Sequence, residues 1–165
     1  MTIKIGDKIP SVILKHLTME GMQDLASDSV FNGKKVVMFA VPGAFTPTCS
    51  AKHLPGYIES LSQFTAQGIS VACLAVNDPF VMKEWAAANK ADGIAFLPDG
   101  NASFTKALGL EMDGSAYGLG TRCQRFALYA ENGIVKYLAV EKPGAFEVSS
   151  GSAMLKAINS LKAAA

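Results

Sequence analysis

Cysteine is scarce in this sequence. Only Cys49, Cys73 and Cys123 occur in 165 residues, and no two form a Cys-x-x-Cys pair. A sparse, odd set of this kind fits neither a disulfide-stapled scaffold nor a four-ligand zinc module. An excess of charge of one sign is absent as well: 15 Lys and Arg stand against 14 Asp and Glu, a formal net charge of +1. Neither a nucleic acid nor a membrane surface is therefore expected as a partner. Long hydrophobic runs are also missing. Val36–Val41 and Val71–Val76 are strand-sized, far short of the roughly 20 residues that cross a bilayer. Met1-Thr2-Ile3-Lys4 opens no signal-peptide pattern, and the expected localisation is cytoplasmic. No internal repeat, low-complexity tract or Pro/Ser-rich linker interrupts the chain, so residues 1–165 are expected to form a single domain. With 50% hydrophobic and 18% charged residues, the composition is that of a chain that folds around a core.

The order of elements is readable from pattern and punctuation. A first strand is expected at Val12–Leu14 and a short helix over Asp24–Phe31, stopped by Asn32-Gly33. Lys35–Val41 (KVVMFAV) and Ile69–Val76 (ISVACLAV) are β-branched apolar runs of the kind found in strands buried on both faces. Between them, Thr48–Gln67 has helical spacing, with Pro55 expected to bend or split the helix. Asp78 reads as a helix N-cap with Pro79 at the first helical position. A short strand at Ile94–Leu97 and a helix over Ala102–Leu108 follow, and then a glycine-rich loop at Glu111–Gly120. Arg125–Ala130 and Ile134–Val140 read as strands joined by Asn132-Gly133, a strong tight-turn signal. Ser152–Leu161 closes the chain as a helix. Strands alternating with helices and ending in a hairpin describe an α/β fold with a central mixed β-sheet flanked by helices.

Chemistry concentrates at one address. Cys49 follows Pro42-Gly43-Ala44-Phe45-Thr46-Pro47-Thr48, so it falls in the first turn of the helix that leaves a buried strand. Free N–H groups and the positive end of the helix dipole favour an anion there, and the thiolate is the nucleophilic form of cysteine. Thr46, three residues upstream, has a hydroxyl that can cap the helix or hold a substrate oxygen. Cys73 lies mid-strand, where a thiol is ordinarily buried and inert. Cys123 stands beside Arg122 and close to Arg125, cations that would favour its thiolate if it were exposed. His53, four residues after Cys49, shares its helix face and permits a Cys–His dyad of the hydrolase kind. As metal ligands, Cys49 and His53 are too few, and no third or fourth is marked, so no metal is expected.

The segment Pro42–Ser50 (PGAFTPTCS) contains the Pro-x-x-x-Thr-x-x-Cys pattern and resembles the peroxiredoxins, specifically the type II, peroxiredoxin-5-like subfamily. Gly6–Pro10, Lys52–Gly56, Val76–Phe80 with Trp85, and Gly120-Thr121-Arg122 leading to Arg125-Phe126 resemble that subfamily in the same order along nearly the whole chain. The resemblance implies a thioredoxin-like fold and a thiol peroxidase. Cys49 would attack hydrogen peroxide or a small organic hydroperoxide and become a sulfenic acid. Arg125 would stabilise the thiolate and the developing charge, Thr46 would orient the peroxide, and Pro42 would shield the sulfur from water. No bound cofactor is implied.

Subfamily members differ in how the sulfenic acid is reduced. Where some carry a resolving cysteine near the C-terminal helix, this chain has Val148-Ser149-Ser150-Gly151. Its GLGTR and VSS stretches are similar to plant and bacterial members reduced by glutathione and glutaredoxin, with thioredoxin as the other candidate reductant. A strand cysteine corresponding to Cys73 has a resolving role in some of these. The resemblance further implies a homodimer with Glu111–Gly120 as a candidate contact. Two other readings stand beside the enzyme: a Cys–His hydrolase using Cys49 and His53, and a thiol redox sensor without turnover.

Overall fold

The β-branched runs take the centre of the sheet. In the computed structural model, which describes residues 1–164, β3 (Lys35–Val41) pairs in parallel with β4 (Ile69–Ala75), and β4 with β5 (Ile94–Pro98). The other edge of β3 is taken by β8 (Phe126–Glu131), antiparallel, and β9 (Ile134–Val140) closes the sheet in the order β5-β4-β3-β8-β9. Asn132 and Gly133 join the last two strands, both at positive φ, as a two-residue turn matching the strand twist requires.

Every side chain of β3 from Val36 onward is buried, because helices cover both faces. On one face Val37, Phe39 and Val41 meet α2 (Leu54–Ala66), α3 (Pro79–Ala88) and α5 (Gly151–Ala164) through Leu54, Tyr57, Trp85, Met154 and Ile158. On the other, Val36, Met38 and Ala40 meet α1 (Ser27–Phe31), α4 (Ser103–Leu108) and the N-terminal segment through Phe31, Phe104, Leu108 and Ile9. The α/β fold and the mixed sheet flanked by helices are thus as the sequence pattern implies. Asp78 accepts a hydrogen bond from the Val81 N–H at 2.9 Å, the expected N-cap.

Four local expectations are corrected. The strand at Val12–Leu14 is longer and belongs to a hairpin: β1 (Ile13–Thr18) pairs with β2 (Gly21–Ala26). The helix expected from Asp24 therefore begins at Ser27. Cross-strand pairing, including an ion pair between Lys15 and Asp24, holds the intervening residues extended. The Glu111–Gly120 segment is only partly irregular: β6 (Glu111–Asp113) pairs with β7 (Thr121–Cys123) around a single 3-10 turn at Ser115–Tyr117. Finally, Arg125 precedes β8 rather than opening it.

Two glycines separate steric need from propensity. Gly109 ends α4 at φ +71°, and a Cβ there would stand 2.4 Å from the Met1 carbonyl oxygen. Gly56 lies inside α2 with open space where its Cβ would be. Gly109→Ala is expected to destabilise the fold by more than about 1 kcal/mol, and Gly56→Ala to stabilise it by roughly 0.5–1 kcal/mol, both read as shifts in the urea midpoint.

Candidate active site

The chain leaves β3 at Val41 and turns through Pro42–Thr48 before the helical segment. Hydrogen bonds hold the turn in shape. The Ala44 N–H donates to Asn77 Oδ1 at 2.9 Å, the Thr46 hydroxyl donates to the Gly43 carbonyl at 2.7 Å, and the Ser50 N–H donates to the Thr46 carbonyl at 2.9 Å. Thr46 therefore does not cap the helix through its side chain. Its oxygen lone pairs remain able to accept. Phe45 takes φ 64°, an unusual conformation for a side chain of its size.

Pro55 neither bends nor splits the helix in the expected way. Residues Cys49–His53 form a π-helical turn that runs directly into α2, closed by the Leu54 N–H on the Cys49 carbonyl. A proline cannot donate to the preceding turn, and its ring crowds the carbonyl four residues back, so a widened turn just before it is the physical accommodation. The widened turn keeps Cys49 fully buried. Trp85 packs in the core as its type suggests and donates from its indole N–H to Ser50 Oγ at 3.0 Å.

Arg125 lies 76 positions from Cys49 in sequence and touches it in the fold, because β8 runs beside β3. Its Nη2–H donates to Cys49 Sγ at 3.1 Å, and its Nη1–H donates to His53 Nδ1 at 2.8 Å. The guanidinium also lies over the Phe146 ring, 5.9 Å from the centroid. His53 uses its other nitrogen as well: Nε2–H donates to the Ser149 carbonyl at 3.0 Å, and the Tyr57 hydroxyl donates to the same oxygen at 2.8 Å. This pattern fixes the Nε2–H tautomer, since Nδ1 must accept from arginine. Burial, with the nearby Arg125 charge adding to it, lowers the His53 pKa to about 3 despite the opposing Ser149 bond. Both ring nitrogens are committed away from the sulfur, so His53 does not stand as a base for Cys49, and the hydrolase arrangement is not formed.

Pro42, Thr48, Met112, Gln124 and Arg125 border a cleft of about 520 Å³ that is also lined by the segment Glu141–Ala145. Arg125 thus faces this space and the Cys49 sulfur at once. Of the sequence-identified residues, the fold brings Arg125 into contact with both Cys49 and His53 and places Pro42 in the cleft lining. Sequence reading missed Tyr57, Glu141, Phe146 and Ser149. The first was within reach, because Cys49, His53 and Tyr57 recur at intervals of four along one helical face.

The remaining thiols are buried. Cys73, mid-strand in β4, lies in the same core as Cys49, and burial pushes its pKa well above the ordinary value. The exposure on which activation of Cys123 by its arginine neighbours depended is not met: it is fully buried on the opposite face of the sheet, donates to the Val41 carbonyl at 3.0 Å, and is pushed up to about 12, chiefly by burial. Among the described residues, no group of three or more His, Cys, Asp or Glu could hold a metal ion, and no helix is long and apolar enough to cross a membrane.

A buried cysteine hydrogen-bonded by arginine at the end of a central strand is an arrangement suited to thiol redox chemistry, and similarity to known proteins agrees. The Redoxin family model matches residues 4–155, and this chain belongs to that family. Its relatives within the family are peroxiredoxins of type II. It is 47% identical over 165 residues to peroxiredoxin-2E-2, chloroplastic, of Oryza sativa, covering 95% of this chain and 73% of that protein. It is 42% identical to peroxiredoxin-2B of Arabidopsis thaliana, covering 94% and 98%. Among solved structures, reduced Prx3 of Vibrio vulnificus in complex with hydrogen peroxide matches at 52% identity and TM-score 0.91, covering 94% of this chain and 99% of that one. The thioredoxin-type fold and a peroxidase activity dependent on thiols follow from this membership.

The neutral His53 also sets an acid sensitivity. Between about pH 6.5 and about 3 the unfolded chain carries a proton on this residue that the folded chain does not. Stability therefore falls as pH falls through that window, by up to about 1.4 kcal/mol per pH unit from this group. In urea unfolding across pH 7 to 3.5, His53→Phe is expected to flatten the pH slope by up to that amount relative to wild type; an unchanged slope would show that His53 titrates normally in the folded state.

Proposed function

We propose that the protein is a peroxidase for hydrogen peroxide and small organic hydroperoxides, with Cys49 as the peroxidatic residue and an external thiol as reductant. The observation that carries this reading is the Arg125 Nη2–H donated to Cys49 Sγ at 3.1 Å, from a residue that also lines the cleft. A fixed cation favours the thiolate and stays in place as charge develops on the departing oxygen. The thiolate attacks the terminal peroxide oxygen, and an S–O bond forms as the O–O bond breaks. The O–O electron pair leaves with the second oxygen, which takes up a proton to become water or an alcohol. Cys49 is oxidised by two electrons to the sulfenic acid. Thr46 Oγ1, already donating to Gly43, accepts a hydrogen bond from the peroxide O–H and so orients it. Pro42 at the cleft edge limits water at the sulfur.

Glutathione then attacks the oxidised sulfur, releasing water and leaving a mixed disulfide that glutaredoxin reduces. The burial of both other thiols supports this route over an internal one. Cys73 and Cys123 are locked in strands, with their thiolates disfavoured by burial. No bound cofactor takes part. A cytoplasmic homodimer is the proposed working form, its contact involving Glu111–Gly120, where Tyr117 is 85% exposed. In a coupled assay with glutathione and glutaredoxin, Cys49→Ser is expected to abolish continuous peroxide turnover, whereas Cys73→Ser and Cys123→Ser retain it. Loss of turnover in a folded Cys73→Ser variant would overturn external reduction, turnover with thioredoxin alone would replace the proposed reductant, and a single wild-type oxidation event without turnover would favour a sensor.

A further inference from the structure

Glu141 is almost buried, at 6% exposure of the residue, and no lysine or arginine pairs with its carboxylate among the described residues. Its partners are instead backbone and hydroxyl donors of one short segment. The N–H groups of Glu147, Val148 and Ser149 donate to it at 2.9–3.0 Å, and the Ser149 hydroxyl donates at 2.7 Å. Burial alone would raise the pKa of this carboxyl, but the Ser149 hydroxyl and the three N–H groups outweigh it and hold the carboxyl below its ordinary value.

Wrapping Glu147–Ser149 around a carboxylate fixes the direction of the Ser149 carbonyl. That oxygen receives the Tyr57 hydroxyl and the His53 Nε2–H, and taking the latter proton leaves His53 Nδ1 as the acceptor for Arg125 Nη1–H. A guanidinium is a rigid planar fork, so holding one terminal nitrogen at 2.8 Å sets where the other stands relative to the sulfur. The backbone completes the arrangement, for the Glu141 N–H donates to the Arg125 carbonyl at 2.9 Å. One acidic residue thus holds Arg125 at both ends, by its main chain directly and by its side chain through Ser149 and His53.

We propose that Glu141 is a positioning residue for the peroxidatic step, acting through Ser149 and His53 to align the Arg125 guanidinium on Cys49. The inference rests on the peroxidase reading for its consequence but on geometry for its content. Glu141 is also part of the cleft wall that continues through Lys142, Pro143, Gly144 and Ala145, which places it beside the same space as Arg125. The titratable or charged groups facing this chain of contacts are Arg125, His53, Tyr57 and Glu141 itself, with Cys73 in the core beside Cys49.

The test compares wild type, Glu141→Gln, Glu141→Asp, Arg125→Ala and the Glu141→Gln/Arg125→Ala double variant. Two readouts are taken across pH: the second-order rate with hydrogen peroxide, and the rate of Cys49 alkylation by iodoacetamide mapped by mass spectrometry. A glutamine that keeps its oxygen at the Oε2 position still turns its amide N–H groups toward the Glu147 N–H and removes the charge that the other donors gather around, so Glu141→Gln is expected to slow the peroxide reaction by about tenfold. It should also displace both pH profiles to higher pH, with Glu141→Asp recovering part of the loss. In the Arg125→Ala background the same substitution should cost no more than about twofold, because its route of action is gone. Full multiplication of the two losses, or pH profiles that do not move, would overturn the proposal. Should Glu141→Gln fail to fold, His53→Asn and His53→Phe decide: the asparagine carbonyl lies near the Nδ1 position and should preserve more rate than phenylalanine, and equal losses would contradict the relay. Alkylation needs no peroxide chemistry, so shifted alkylation profiles in a protein inert to peroxide would sustain the positioning role and sink the peroxidase reading instead.

Discussion

The rest of the site depends on one guanidinium set between a sulfur and an unprotonated imidazole nitrogen. A guanidinium is a permanent cation in proteins, and Cys49, fully buried, cannot rely on water to stabilise an anion. The cation takes the place of water. For it to do so the arginine must arrive from a strand beside β3, the cysteine must lie at the end of β3, and His53 must offer a lone pair rather than a proton. Each requirement corresponds to a feature of the fold: the antiparallel β3–β8 pair, the Pro42–Thr48 turn with its widened π turn, and the Ser149 carbonyl that takes the imidazole proton.

The three cysteines show how environment divides one functional group into different chemistries. All are buried, so exposure does not distinguish them. What does is the partner that each burial supplies. Cys73 sits on β4 opposite Phe39 and meets apolar neighbours, and Cys123 gives its hydrogen to a backbone carbonyl across the sheet from Cys49. Both are held in the neutral form by burial. Only Cys49 has a cation within hydrogen-bonding distance.

Much of this was legible along the chain wherever the governing interaction is local. The buried central strands, the Asp78 cap and the Asn132-Gly133 turn are dictated by neighbours within a few residues, and the structure follows them. The special address of Cys49 was legible for the same reason. Local reading failed where a distant partner decides. Asp24 has an acceptable helix-start residue type, yet pairing with Lys15 keeps it in a strand. Whether Cys123 would be exposed to its arginine neighbours was undecided for the same reason: strand alternation turns it into the core, while Arg122 reaches the Leu119 and Pro42 carbonyls. Contact between Arg125 and Cys49 was available only through the family resemblance, since no spacing rule brings residues so far apart together. Glu141 and Ser149 carried no local mark, because their importance lies in one carboxylate gathering backbone N–H groups from a loop that follows it.

The central claim, that Arg125 makes Cys49 a selective peroxide-reactive thiol, is tested most directly by mixing fully reduced protein with one equivalent of hydrogen peroxide at neutral pH. The reaction is quenched within seconds, and the mass and site of modification are read. Rapid loss of peroxide with a single oxygen on Cys49, no disulfide to Cys73, and unmodified Cys73 and Cys123 is the predicted result. Slow oxidation spread over all three cysteines would contradict the account, because it would mean that the guanidinium beside Cys49 confers no activation.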